Sequence, residues 1–132
     1  MKKVCTIMAM GSALLVSTMS EAYAFGISFD WGGIPRCTSG NPNTVGSPAF
    51  SVSGVPSGTA KIIFKLRDNN VPDYNHGGGT VAYSGGSTVA AGSFKYKSPC
   101  PPGGVHTYTW TATAVDKSGK KLGTAKASRK YP

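Results

Sequence analysis

Apolar and polar side chains alternate between residues 61 and 67. Lys61-Ile62-Ile63-Phe64-Lys65-Leu66-Arg67 places Ile62, Phe64 and Leu66 on one face, which predicts a half-buried β-strand. The segment from Thr107 to Val115 carries the same signal for longer. His106, Tyr108, Trp110, Ala112 and Ala114 fall on one face, and four threonines with Val115 take the other. Thr80-Val81-Ala82-Tyr83 and Ser93-Phe94-Lys95-Tyr96-Lys97 read as short strands. Gly26-Ile27-Ser28-Phe29 and Phe50-Ser51-Val52-Ser53 are weaker candidates. Turn sequences separate these runs: Val55-Pro56-Ser57-Gly58, Gly77-Gly78-Gly79, Ser84-Gly85-Gly86, Pro101-Pro102-Gly103-Gly104 and Lys117-Ser118-Gly119-Lys120. Helix signals are almost absent. The pattern predicts an all-β domain, an antiparallel β-sandwich with little or no helix in the mature chain.

The N-terminus reads differently. Lys2 and Lys3 precede an apolar run, Val4 to Val16, too short to span a bilayer comfortably. Ala22-Tyr23-Ala24 has the small-x-small form of a leader cleavage site. Residues 1–24 are therefore expected to be a signal peptide, 25–132 the mature domain, and the protein secreted or periplasmic. No other stretch approaches membrane length. Cleavage would leave 12 of the 14 basic and 4 of the 5 acidic residues, a net charge of +8 against +9 for the whole chain. Such a protein is drawn to lipid headgroups, anionic polysaccharide or nucleic acid, although a solvated basic edge that keeps the protein soluble is the favoured reading over a dedicated binding patch. The excess is concentrated late, at Lys117, Lys120, Lys121, Lys126, Arg129 and Lys130, so that residues 117–132 read as a basic C-terminal tail.

Cys5 lies in the leader, which leaves Cys37 and Cys100. In an exported chain two cysteines predict a disulfide, and closing a loop of this length is worth roughly 4 kcal/mol in the chain-entropy model. A metal site would need more thiols, and a redox pair more often has the C-x-x-C spacing.

Four blocks, in order, carry a resemblance. They are Cys37-Thr38-Ser39-Gly40-Asn41 with Ser47-Pro48-Ala49-Phe50, then Gly54-Val55-Pro56-Ser57-Gly58-Thr59, then Asp68-Asn69-Asn70-Val71-Pro72 with His76, and finally Ser98-Pro99-Cys100-Pro101-Pro102 followed by His106-Thr107-Tyr108 and Ala114-Val115-Asp116. Their order and content resemble the phosphatidylethanolamine-binding proteins, or Raf kinase inhibitor-like proteins, and among them the bacterial YbhB/YbcL branch. The resemblance implies a β-sandwich with a small cavity at one end, lined by Asp68, His76, His106 and Tyr108. It implies non-catalytic binding of a small anionic or phosphorylated ligand, such as a lipid headgroup, with no cofactor. It also leaves room for a kinase- or protease-inhibitor role toward an unidentified protein target. Asn70, Pro72, Pro99, Pro101 and Pro102 would form the rim.

The residue types fit that chemistry. His106 and Tyr108 stand two apart on a strand and share a face. Two imidazoles and a phenol offer donors to an anion, and Asp68 is placed to orient an imidazole. The sequence departs from the family pattern at Asn69, Asn70 and Gly77. The connection 77–97 is short, and nothing after Asp116 reads as a further element. These departures predict a looser loop and a more open site.

Plainer readings exist for each residue. Either histidine can be held by backbone hydrogen bonds, Asp68 can cap a turn, and Tyr108 and Trp110 can be core aromatics. Asp68, His76 and His106 also make up a two-His-one-carboxylate set, which keeps a metal site as an alternative. An exported structural or interaction domain without a working pocket is another. Hydrolase chemistry finds little support: there is no G-x-S-x-G elbow and no evident carboxylate pair. The glycine runs lack the phosphate-loop pattern and lead into no helix. A specific nucleic-acid role would rest on charge alone, without interleaved stacking aromatics.

Overall fold

The computed structural model describes residues 24–132, so all of the predicted leader except Ala24 lies outside the described residues. The described residues contain nine strands and no helix. They are β1 (Gly26–Phe29), β2 (Thr44–Gly46), β3 (Phe50–Ser53), β4 (Lys61–Asp68), β5 (Gly78–Ala82), β6 (Thr88–Val89), β7 (Lys95–Lys97), β8 (His106–Val115) and β9 (Lys121–Tyr131). They form antiparallel sheets of order β5-β4-β8-β9, β1-β3-β6 and β2-β7.

The four-stranded sheet forms one layer and the two smaller sheets cover its inner face. Strand β4 alternates exposed and buried without a break, as its sequence predicts. Its Ile62, Phe64 and Leu66 meet Tyr108, Trp110 and Ala112 of β8 on one side, and Phe29, Phe50, Val52, Val89 and Tyr96 of the covering sheets on the other. Trp110 is fully buried at the centre, edge-on to Phe50 and Tyr96 at ring-centroid distances of 5.3 and 5.0 Å. Phe50 in turn stacks on Phe64 at 4.3 Å.

Four elements differ from the sequence reading. The segment read as a basic tail holds β9, the longest strand, paired along almost all of β8. Its lysines mask an alternation in which Ala125, Ala127 and Tyr131 turn inward while Lys126, Ser128 and Lys130 face water. Arg129 joins the inner side by lying over the Phe29 ring and donating to the Phe29 carbonyl. Of the run Gly77-Gly78-Gly79, read as a turn, Gly77 lies before β5 with a positive φ while Gly78 and Gly79 open the strand. A Cβ on Gly78 would collide with the Phe64 carbonyl, and one on Gly79 with the Phe94 side chain, so glycine is what lets β5 approach. The short strands β2 and β6 have too few residues to show a period.

Cys37 and Cys100 are joined by a disulfide across 63 positions, with their Cα atoms 4.6 Å apart.

Candidate functional site

Asp68 ends β4 on its inner face, in line with Ile62, Phe64 and Leu66. An acid closing an apolar stripe is an exception that calls for compensation. The compensation is local. Asp68 Oδ1 accepts from the backbone N–H groups of Asn70 (2.9 Å) and Val71 (3.3 Å), and Oδ2 accepts from His106 Nδ1 at 2.7 Å. Burial alone would raise the Asp68 carboxyl. The His106 hydrogen bond and the two backbone donors outweigh it and hold the group below the usual carboxylate range.

Register brings the other groups to the same end. Asp68 pairs with Tyr108 across β4 and β8, and His106 lies two residues earlier on the same face. His76 arrives from the 69–77 loop. Its carbonyl accepts from Lys97 N–H and its Nδ1 donates to the Lys97 carbonyl, both at 2.8 Å. Because a carbonyl only accepts, Nδ1 carries the hydrogen and Nε2 is the nitrogen left for other chemistry. Burial lowers the pKa of His76, against the opposing pull of the Lys97 carbonyl and the Asp68 charge.

Tyr108 is fully buried with its ring among both imidazoles, 5.5 Å from His76 and 6.3 Å from His106. Its hydroxyl makes no well-formed hydrogen bond, and Asp68 and the Cys100 backbone are the polar groups close enough to act on it. Burial first, and the Asp68 charge second, push its pKa upward, so the phenol keeps its proton. A buried O–H without an acceptor costs about 1–3 kcal/mol, and an incoming oxygen would relieve that cost.

Asp68, His76, His106 and Tyr108 line one cavity of about 180 Å³. Its remaining wall is Gly40, Pro42, Val71, Tyr74, Cys100, Pro101 and Pro102. Of the expected rim residues, Pro101 and Pro102 therefore reach the cavity and three do not. Pro99 is fully buried beneath the proline block. Pro72 faces a separate groove on the outer side of β4. Asn70 turns its side chain away to accept from Thr107 N–H at 3.0 Å. The expected looser loop is likewise corrected. Asn69 accepts from Thr109 Oγ1 at 3.1 Å and donates its N–H to the Thr107 carbonyl at 2.8 Å, so both asparagines stitch the loop to β8.

The proline block is anchored just as firmly. Ser98 exchanges hydrogen bonds with Asn43, Gly40 N–H donates to the Cys100 carbonyl, and the disulfide ties Cys100 to Cys37. Tyr74 and Val71 were not expected at the site. Tyr74 lies 4.6 Å from His76 by ring centroids, and the only sequence signal for either was an apolar residue in an otherwise polar loop. Among the described residues, no group of three or more His, Cys, Asp or Glu is arranged to hold a metal ion, which leaves the metal alternative without a donor set.

No protein-family model matches the sequence, and no curated protein matches it. Solved structures do match. One is CT736 of Chlamydia trachomatis, described as a phosphatidylethanolamine-binding protein homologue. It is 20% identical with a TM-score of 0.59, over 83% of this chain and 97% of that one. Another is YbcL of E. coli, described as a member of the mammalian PEBP family. It is 15% identical with a TM-score of 0.59, over 83% of this chain and 98% of that one. This chain thus has the all-β fold of the phosphatidylethanolamine-binding proteins, carried by strands β1 to β9 and closed by the Cys37–Cys100 bridge.

Proposed function

We propose that the chain is an exported, non-catalytic binding protein whose small cavity takes an anionic or phosphorylated group, a phospholipid headgroup or a free phosphate ester. The observation that carries this reading is the convergence of Asp68, His76, His106 and the Tyr108 hydroxyl on one cavity. A ligand oxygen would accept from that hydroxyl. His106 is already tied through Nδ1 to Asp68, so on protonation it presents Nε2–H to the ligand with its charge matched by the carboxylate. His76 adds a second donor only when protonated. Pro101 and Pro102 hold one wall in place, which lowers the ordering cost of binding. The cavity thus gathers hydrogen-bond donors and a group that orients them, which supports a binding role.

An NMR titration with phosphate and with phosphoethanolamine at pH 6 tests the reading. Saturable shifts of the Tyr108 and imidazole signals are expected, together with at least tenfold weaker binding in Tyr108→Phe and loss in His76→Ala/His106→Ala. No shift at millimolar ligand in a folded wild-type protein would sink it. A tighter response to phosphoethanolamine than to phosphate would point to the lipid headgroup as the source of the anion.

A further inference from the structure

The face of the four-stranded sheet that turns away from the core has its own order. On β4 the outward residues are Lys61, Ile63, Lys65 and Arg67, all exposed. On β8 they are Thr107, Thr109, Thr111 and Thr113, half-buried between their neighbours. On β9 they are Thr124, Lys126, Ser128 and Lys130, exposed. Register aligns them into rows: Lys65–Thr111–Lys126, Arg67–Thr109–Ser128 and Ile63–Thr113–Thr124, with Thr107 beside Lys130. Strand spacing puts the two cationic columns about 10 Å apart, with neighbours along a strand about 7 Å apart. A rib of hydroxyls runs between them. None of these outward positions holds an acid.

A groove of about 620 Å³ opens over the β4 side of this face, lined by Lys65, Arg67, Thr111 and Thr113, with Tyr74 as its aromatic wall and Asp73 as its one acid. We infer that this face binds a linear acidic polysaccharide lying along β8. The cations would meet regularly spaced anionic groups, the threonines would exchange hydrogen bonds with sugar hydroxyls, and Tyr74 would offer its ring to a sugar face. Other polyanions fit less well. A single aromatic makes no stacking platform for bases. Ile63 and the Tyr74 ring are the exposed large apolar side chains at this face, too little to insert into a lipid surface.

The test uses protein recovered after expression of the full chain and calorimetric titration with dextran sulfate, uncharged dextran, oligo(dT) and phosphatidylglycerol vesicles. One variant is Lys65→Gln/Arg67→Gln/Lys126→Gln/Lys130→Gln. A second, of equal charge loss away from the face, is Arg36→Gln/Lys95→Gln/Lys117→Gln/Lys120→Gln. Dextran sulfate should bind and dextran should not. The first variant should weaken binding at least tenfold with a shallower salt dependence, and the second less than threefold. Equal losses in the two variants would reduce the effect to net charge and overturn the proposal. So would absence of dextran sulfate binding, or tighter binding of oligo(dT) or vesicles through the same four residues.

Discussion

Asp68 and His76 each answer to both readings that their sequence context allowed. Asp68 does cap a turn, through Asn70 and Val71 N–H, and His76 is indeed held by a backbone carbonyl. The same residues also face the cavity, so structural and candidate binding roles coincide and mutation must separate them. Asp68→Ala would strand two backbone donors and the His106 ring. It should cost about 2–3 kcal/mol in urea unfolding, by the penalty for unsatisfied buried groups. Tyr108→Phe removes a hydroxyl that has no partner and should leave stability within about 1 kcal/mol while weakening phosphate binding; a large loss of stability would show that the hydroxyl is satisfied in the fold. Both shifted groups also predict the response to acid. The folded pKa values of Asp68 and His76 lie below their ordinary values of 3.8 and 6.5, so between folded and unfolded titrations the unfolded chain holds more protons. Stability should therefore start to fall as pH drops below about 6.5 and fall again below about 3.8, where melting temperature against pH would show it. Phosphate affinity should run the other way, rising as His76 protonates on the acid side of 6.5.

Strands β4 and β8 were legible because one face is continuously buried and the period of two survives intact. Strand β9 was not, because Lys121, Lys126, Arg129 and Lys130 dominate its composition and its inward positions include Gly123 and the small Ala125 and Ala127. Its contribution comes from pairing with β8, which no local signal reports. The glycines of β5 misled for a related reason. Gly78 and Gly79 are required by what lies opposite them, Phe64 and Phe94, and not by a turn. Gly79→Val should accordingly cost about 2–3 kcal/mol, in the range of overpacking, whereas Gly103→Ala at an open loop position should cost less because only its positive φ resists substitution. Comparable losses at both sites would contradict this account of β5.

At the scale of the molecule, the Cys37–Cys100 bridge was legible from two cysteines and an expected export route, and the fold class from strand periodicity. The four cavity residues came from the ordered motifs. The walls supplied by Gly40, Pro42, Val71 and Tyr74 did not, since these residues meet only when the 39–43 and 69–77 loops close over the proline block. Replacing both cysteines by serine should lower stability by about 4 kcal/mol in the chain-entropy model, and it should loosen the cavity wall that Cys100 contributes. Unfolding at an unchanged denaturant midpoint would show the bridge to be energetically idle.

The central pairing of β4 with β8 joins Lys61–Asp68 to Tyr108–Val115, and Trp110 at the heart of the core belongs to the later partner. No early portion of the chain can therefore close a core by itself. Topology of this kind folds on the millisecond-to-second scale, slower than structures built from local contacts. A nascent chain would therefore have no closed core until β8 had been made, and the last residues synthesised would decide when folding begins.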